Sequence, residues 1–207
     1  MVPAMLDGKW QPGAVRPPIE AIAVGASAGA VEALGVLLPA LPLELNVPVI
    51  VVVHVPPNRP SLMAELFAPR CALDVREAED KQTIAPGTIW FAPPGYHLLV
   101  ERDRSFALSI DEPVNFSRPA IDVLFSSAAD TYRDRLLALI LTGANQDGAA
   151  GAADVRAAGG LVAVQDPETA HAATMPALCI ERAQPDFVGT LPQLAQYACA
   201  RVLGTTP

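Results

Sequence analysis

Apolar runs that alternate with helical spacing make up most of the chain. Uninterrupted apolar runs occupy residues 21–26, 47–53, 136–141 and 161–164, and the second is almost entirely β-branched, as in strands covered on both faces. Between these runs, apolar residues recur every three or four positions, which predicts amphipathic helices. The predicted helices cover approximately 31–41, 61–67, 119–128, 148–158, 175–182 and 191–203. This alternation predicts an α/β fold with a doubly wound, mostly parallel sheet flanked by helices.

The middle of the chain has a different pattern. Three short apolar runs, at 88–91, 96–100 and 106–110, are joined by a Pro-Pro-Gly segment and by the charged segment 101–104. Short runs separated by turn residues are typical of hairpin strands. We therefore expect all three runs to be antiparallel strands, which form an edge hairpin beyond the parallel part of the sheet.

Residues 1–18 differ from everything that follows them. They contain four prolines and two glycines, and we expect an irregular N-terminal tail. A single domain should then occupy residues 19–207, because about 150 residues is typical of a domain and α/β domains are often larger.

Composition and charge exclude several classes of protein. The net charge of −8 and the presence of only two lysines argue against a nucleic-acid-binding protein, which needs a clustered basic surface. No apolar run approaches the roughly 20 residues of a membrane span, and the N-terminus does not resemble a signal peptide. The three cysteines, Cys71, Cys179 and Cys199, lack any CxxC spacing and indicate reduced thiols in a cytoplasmic protein. No metal-ligand spacing is present, so we expect no metal.

Three reactive side chains each follow one of the predicted strands. They are Ser27, His54 and Asp147, and they come after the runs 21–26, 47–53 and 136–141. In an open parallel sheet, ligands bind outside the carboxyl ends of the strands. A nucleophile, a base and an acid that leave the sheet at this edge can meet there, as the members of a Ser-His-Asp triad do. A hydrolase is therefore the leading hypothesis.

The small residues around Ser27 suit this hypothesis. They let a substrate carbonyl approach, and the helix that follows offers free backbone N–H groups to an oxyanion. The segment is not a GxSxG nucleophile elbow, and a helix N-cap serine remains an alternative. A dinucleotide-binding turn is a second alternative. It fits poorly, because His54 follows the second strand where a ribose-binding acid should stand; we expect no cofactor.

The histidine and the aspartate also have alternatives. His54 could be a structural hydrogen-bonding residue rather than a base. We expect His97, inside an edge strand, and His171, in a polar loop, to be structural or solvent-facing. Asp147 could cap the helix that begins near residue 148, and Asp166, after the next strand, is its main rival for the acid position.

Several separated motifs include these residues. They are Val24-Gly25-Ala26-Ser27-Ala28-Gly29, Val53-His54-Val55-Pro56, Ala85-Pro86-Gly87, Phe91-Ala92-Pro93-Pro94, Arg118-Pro119-Ala120-Ile121-Asp122-Val123-Leu124-Phe125, Leu141-Thr142-Gly143 with Asp147-Gly148, Gln165-Asp166, and Met175-Pro176. In this order they resemble the catalytic domain of the CheB family, the chemotaxis-type protein-glutamate methylesterases. The resemblance covers about residues 19 to 203.

The resemblance implies a role for each candidate. Ser27 would be the nucleophile, His54 the base and Asp147, rather than Asp166, the acid. The backbone N–H groups of Ala28 and Ala144 would bind the oxyanion. The implied activity is removal of methyl groups from glutamate γ-methyl esters on methylated chemoreceptor-type proteins, with deamidation of glutamine as a related reaction. Signalling-complex proteins would be further partners in chemosensory adaptation.

The chain departs from the family pattern at several positions. Ala144 and Asn145 stand where the family usually has methionine and glycine, Ala30 replaces a common glycine, and Ala173-Thr174 replaces a common Phe-Gly pair. Many members also carry an N-terminal receiver domain, for which an 18-residue tail is too short. The alternative function is therefore a CheB-like binding module of weak or lost activity in a signalling complex.

Overall fold

The computed structural model describes residues 16–55 and 60–205, together with the backbone of 5–6 and 9–10. The strands are β1 (Met5–Leu6), β2 (Lys9–Trp10), β3 (Ala21–Ala26), β4 (Val49–Val53), β5 (Asp74–Glu77), β6 (Thr88–Phe91), β7 (His97–Val100), β8 (Phe106–Ser109), β9 (Leu136–Ile140), β10 (Leu161–Gln165) and β11 (Phe187–Gly189). The α-helices are α1 (Ala30–Leu37), α2 (Met63–Phe67), α3 (Ile121–Tyr132), α4 (Ala149–Ala157), α5 (Thr174–Ala183) and α6 (Leu191–Leu203).

A seven-stranded sheet forms the centre of the molecule. Its strand order is β11-β10-β9-β3-β4-β6-β5, and the strands pair in parallel throughout. The sheet reverses its winding direction around β3, so helices cover both of its faces. The predicted doubly wound sheet is confirmed.

Side chains of each central strand alternate between two cores. Along β3, Ile22 and Val24 pack with α1 and α6 on one face, whereas Ala21 and Ala23 pack beneath α3, α4 and α5 on the other. All six residues of β3 are buried. Because each fully buried aliphatic side chain contributes about 1.5–3 kcal/mol, continuous apolar runs are favoured in strands that are covered twice.

The middle of the chain matches its prediction only in part. β7 and β8 pair antiparallel, as predicted, but they form a separate two-stranded sheet rather than extending the main one. The prediction was wrong for β6, which lies inside the main sheet and pairs in parallel with β4 and β5. All four residues of β6 are buried, and periodicity cannot reveal strand direction in so short a run. β5, with one buried residue of four, was not predicted.

The β7–β8 hairpin packs against α3. The Val100 N–H donates to Ser127 Oγ at 3.1 Å, and the Ala120 N–H donates to His97 Nδ1 at 3.2 Å. These bonds hold the side and the beginning of α3, whose first residues reach the site described below.

The predicted tail is described only in part. β1 and β2 pair antiparallel, with Met5 opposite Trp10, so the tail is not irregular throughout. Its other residues up to 15 lie outside the described residues. Within the described part of the chain, no helix is both long and apolar enough to cross a membrane.

Candidate active site

Ser27, His54 and Asp147 meet at the carboxyl edge of the central strands. Ser27 follows β3, His54 follows β4, and Asp147 lies between β9 and α4. Since β9, β3 and β4 are neighbours in the sheet, these residues share one edge. His54 Nδ1 lies 3.1 Å from Ser27 Oγ, and His54 Nε2 lies 2.8 Å from Asp147 Oδ2. The structure therefore brings the three predicted side chains into one hydrogen-bonded row.

The imidazole of His54 has its two nitrogens in a defined order. Nδ1 faces the serine and Nε2 faces the carboxylate, which is the reverse of the familiar serine-protease arrangement. In neutral imidazole one nitrogen donates and the other accepts. Because a carboxylate only accepts, Asp147 favours the tautomer with its proton on Nε2. The lone pair of Nδ1 is then directed toward Ser27 Oγ, as a general base requires.

The Asp147 carboxylate has four donors around it. Oδ2 accepts from the Ile121 N–H at 2.6 Å and from His54, and Oδ1 accepts from the Asp122 N–H and Asn115 Nδ2, both at 3.1 Å. The two backbone donors belong to the first turn of α3, where the helix dipole also favours a negative charge. The side chain is completely buried, so these bonds replace its hydration.

The charge on Asp147 follows from this balance. Burial by itself raises the pKa of the carboxyl, but hydrogen bonds from His54, Ile121, Asn115 and Asp122 outweigh burial, and the pKa lies below its ordinary value of 3.8. Asp147 is therefore ionised near neutral pH, and it can both orient the imidazole and stabilise an imidazolium.

Asp147 does not cap the helix that follows it. The N-cap of α4 is Gly148, which has no side-chain cap bond, so the capping alternative fails there. Asp147 instead binds the start of α3, and Asp122, from that turn of α3, accepts from the Gly151 N–H in α4 at 2.7 Å. The carboxylate just before α4 thus binds the first turn of α3, and a carboxylate in α3 binds the first turn of α4. These bonds fix the N-termini of both helices at the site.

Two glycines, at the end of β3 and just before α4, allow the first residue of α3 to lie close to the backbone there. A Cβ atom at Gly25 would lie 2.4 Å from Ile121 Cγ2, and one at Gly148 would lie 2.9 Å from the same atom. Any larger residue would push Ile121 away and with it the N–H that binds Asp147. Small residues near Ser27 therefore position the acid as well as the nucleophile.

The backbone around Ser27 leaves two N–H groups unused. The Ser27 N–H donates to Thr142 O at 2.9 Å, but in the described part of the chain the N–H groups of Ala28 and Ala144 have no hydrogen-bond acceptor. Thr142 Oγ1 donates to Ala28 O at 2.7 Å and accepts from the Ala172 N–H at 2.9 Å. One hydroxyl thus ties together the loops that carry the predicted oxyanion donors.

The other candidate residues lie elsewhere or have other partners. Asp166 accepts from the Glu168 N–H at 3.0 Å and caps a short 3₁₀ turn. His97 is buried between backbone groups. His171 is exposed, and its Cβ lies beside Gly29, where an added Cβ atom would come within 2.5 Å of it. The structure does not bring any of the three into the row.

Sequence reasoning missed two residues beside Asp147. Asn115 and Asp122 both contact it, and neither was assigned a role. Asp122 lies within the motif 118–125, and its position in the first turn of a predicted helix is a weak signal. Asn115 lies in a turn without periodicity and offers none.

Metal-ligating side chains are not clustered among the described residues, which contain no group of three or more His, Cys, Asp or Glu side chains that could hold a metal ion. Two cavities, of about 340 and 280 Å³, open at the opposite edge of the sheet, beside residues such as Ile19, Pro48 and Leu161. Ser27 does not line either of them.

Comparison with known proteins finds a family whose members this chain resembles. A model described as CheB methylesterase matches residues 22–198. A Leptospira interrogans protein with the provisional name protein-glutamate methylesterase/protein-glutamine glutaminase is 44% identical over 177 residues, which are 86% of this chain and 92% of that protein. A Trichodesmium erythraeum protein with the same name, not marked provisional, is 35% identical over 187 residues, 89% of this chain but 53% of its own length.

A solved structure has the same fold. The crystal structure of the Thermotoga maritima CheB methylesterase catalytic domain matches with a TM-score of 0.84 and 31% identity, over 88% of this chain and 98% of that one. The seven-stranded parallel sheet and its helices are therefore shared with that domain.

Proposed function

Because the chain belongs to the CheB methylesterase family, we propose that it is a serine hydrolase that demethylates glutamate γ-methyl esters. Its substrates would be chemoreceptor-type proteins in cytoplasmic chemosensory adaptation. The observation that carries the proposal is the hydrogen-bonded row from Asp147 through His54 to Ser27. The names of the relatives also include glutaminase activity, and we extend the proposal to glutamine deamidation, which needs the same acyl chemistry.

The first half of the reaction forms an acyl-enzyme. His54 Nδ1 takes the proton from Ser27 Oγ while Oγ attacks the γ-carbonyl carbon, and the carbonyl π electrons move to the oxygen. Asp147 remains ionised and stabilises the imidazolium. The N–H groups of Ala28 and Ala144 donate to the oxyanion. Collapse of this intermediate breaks the bond to the methoxy oxygen, which leaves as methanol with the proton from His54.

The second half regenerates the enzyme. His54 takes a proton from water, and the water oxygen attacks the glutamyl ester carbon on Ser27. The second tetrahedral intermediate collapses, Ser27 Oγ recovers a proton from His54, and a free glutamate side chain is released. For glutamine, ammonia leaves in place of methanol.

The departure at Ala144 is compatible with this scheme. The proposed donor is a backbone N–H, which alanine keeps, and the adjacent Gly143 is held by backbone bonds to Ala172 and Met175. The Gly143 N–H donates to Ala172 O at 3.0 Å, and Gly143 O accepts from the Met175 N–H at 2.9 Å. The loop geometry thus depends on backbone contacts that the side chain of residue 144 does not make.

Labelling and turnover together test the proposal. We expect a fluorophosphonate to modify Ser27 of the wild-type protein, and receptor-containing membranes with radiolabelled glutamate methyl esters to release labelled methanol. Ser27→Ala should abolish both, whereas Ser109→Ala, at the end of β8, should abolish neither. Labelling without methanol release would reject the substrate class. Absence of both would leave the fold as a binding module.

A further inference from the structure

Two buried carboxylates share one neighbour beside the candidate active site. Asn115 Nδ2 donates to Asp122 Oδ2 at 2.8 Å and to Asp147 Oδ1 at 3.1 Å. Asp147 is completely buried and Asp122 is 9% exposed. A single amide group therefore bridges the acid that contacts His54 and a second acid that does not.

The amide of Asn115 is held in one orientation. Gln146 Nε2 donates to Asn115 Oδ1 at 3.0 Å, which directs the oxygen away from the carboxylates and the NH₂ group toward them. The backbone of Asn115 has a φ of 50° in a tight turn closed by Val114 and Ser117. Asparagine tolerates this left-handed region better than most residues do. Both the turn and the side-chain bonds thus favour asparagine.

The bridge lies where like charges oppose each other. Burial and the nearby charge of Asp147 raise the pKa of Asp122, while the pKa of Asp147 is lowered. Two titratable groups among the described residues interact with the pair: His54, after β4, contacts Asp147, and Cys179, in α5, has its pKa raised to about 12 by burial and by Asp122. The thiol is therefore neutral, and the hydrogen-bond donors around each carboxylate decide which of the two holds its negative charge more strongly.

We infer that Asn115 is a positioning residue that separates the two carboxylates and holds Asp147 in line with His54. The inference rests on the proposed function. Within the described part of the chain, Asn115 makes no hydrogen bond to Ser27 or His54; it acts through Asp147. Its amide donates to Oδ1 of Asp147 and so leaves Oδ2 to the imidazole and the Ile121 N–H, and its bond to Asp122 keeps that carboxylate engaged elsewhere.

The direction in which each substitution should shift the pH dependence of activity follows from charge. The active form has neutral His54 and ionised Asp147. Any change that favours an extra proton on His54 or Asp147 therefore moves the acid limb of activity to higher pH. Asn115→Gly removes the donor and keeps the left-handed turn, and Asn115→Asp adds a negative charge at the same place. Both should move the limb upward, the second further. Asp122→Asn removes a negative charge and should move it downward.

The measurement is the pH dependence of the rate at which a fluorophosphonate modifies Ser27, with 4-nitrophenyl acetate hydrolysis beside it. For Asn115→Gly we expect a rate about tenfold to a hundredfold lower near neutral pH and an acid limb at least about half a pH unit higher. kcat should fall while KM stays nearly constant. Adding Asp122→Asn to Asn115→Gly should bring the limb back toward its wild-type position, which a purely structural role would not explain.

The control lies on the same turn. Phe116, with a φ of 62°, is fully exposed, and Phe116→Gly should change neither the rate nor the pH profile. If Asn115→Gly, folded by circular dichroism, keeps the wild-type rate and profile, the inference is wrong. Failure of wild-type labelling would instead reject the proposed function. Proton NMR then decides separately: the imidazole N–H shared with Asp147 should give a downfield signal whose position changes in Asn115→Gly, and an unchanged signal overturns the inference.

Discussion

Two histidines at strand ends show how the same side chain can have different roles in one protein. His54 follows β4 in the main sheet, is 13% exposed and bonds to two side chains, Ser27 and Asp147. His97 begins β7 in the hairpin, is 1% exposed and bonds to two backbone groups, Glu112 O at 3.1 Å and the Ala120 N–H. Both rings have both nitrogens occupied, so hydrogen bonding as such does not separate them.

The nature of the partners separates them. A proton can move between His54 and a serine hydroxyl, and the partner on the other side is ionised. His97 accepts from one backbone N–H and donates to one backbone carbonyl, and neither group ionises near neutral pH. His97 therefore connects the hairpin to the start of α3. It supports the site indirectly, because Ala120 precedes the two residues whose N–H groups bind Asp147.

The largest expected effect comes from Ser27 and His54. Ser27→Ala and His54→Ala should each lower kcat for methanol release by about a millionfold, and the double variant should be little worse, because triad members act as a unit. The fold should remain, which circular dichroism can verify. Losses that multiply in the double variant would mean that the two residues act separately.

Asp147→Asn should have the next largest effect. The amide cannot favour the Nε2–H tautomer of His54 and does not stabilise an imidazolium, so we expect kcat to fall by roughly ten-thousandfold. Single-turnover kinetics with 4-nitrophenyl acetate measures this loss. Asp166→Asn is the matched control, and an equal loss there would mean that the acid was assigned to the wrong strand.

These residues also show how far the sequence alone can lead. The placement of Ser27, His54 and Asp147 was predictable, because strand ends of a parallel sheet converge whatever the loops do. The partners of Asp147 were not, because they depend on how α3 packs against Gly25 and Gly148. The direction of β6 was missed since a four-residue run has too few positions to separate an edge strand from an inner one.

His97→Ala tests the structural side of the comparison. It leaves the Ala120 N–H and Glu112 O unpaired in a buried place and opens a cavity, so we expect a loss of about 3 kcal/mol in the free energy of unfolding. kcat per folded molecule should fall far less than in His54→Ala. Urea unfolding and active-site titration measure the two effects. His97→Asn, which can keep an acceptor toward Ala120, should restore part of the stability; a large fall in turnover with normal stability would contradict this assignment.

Low pH should remove the stability that the ionised Asp147 carboxylate contributes. The pKa of Asp147 is lowered on folding from its ordinary value of 3.8, so the ionised carboxylate contributes stability above that value, and this stability is lost as pH falls through the folded value. In an Asp122→Asn background, adding Asp147→Asn should cost about 1–3 kcal/mol near neutral pH, and the difference should shrink below about pH 4. Urea midpoints across this range provide the measurement. A difference that does not vary with pH would mean that Asp147 is not stabilised as an anion.

The smallest effect should come from the third histidine, and it sets the baseline for the other two. His171 is exposed, and its ring has no hydrogen-bond partner within the described ranges 16–55 and 60–205. Its Cβ nevertheless lies close to Gly29, two residues after the candidate nucleophile. His171→Ala keeps that Cβ and removes only the ring, so we expect the free energy of unfolding to stay within about 0.5 kcal/mol of wild type and kcat for 4-nitrophenyl acetate to stay within about threefold, which is under 1 kcal/mol. A loss comparable to that of His54→Ala would show that proximity to Ser27, rather than the chain of partners through His54 to Asp147, decides which histidine serves the reaction.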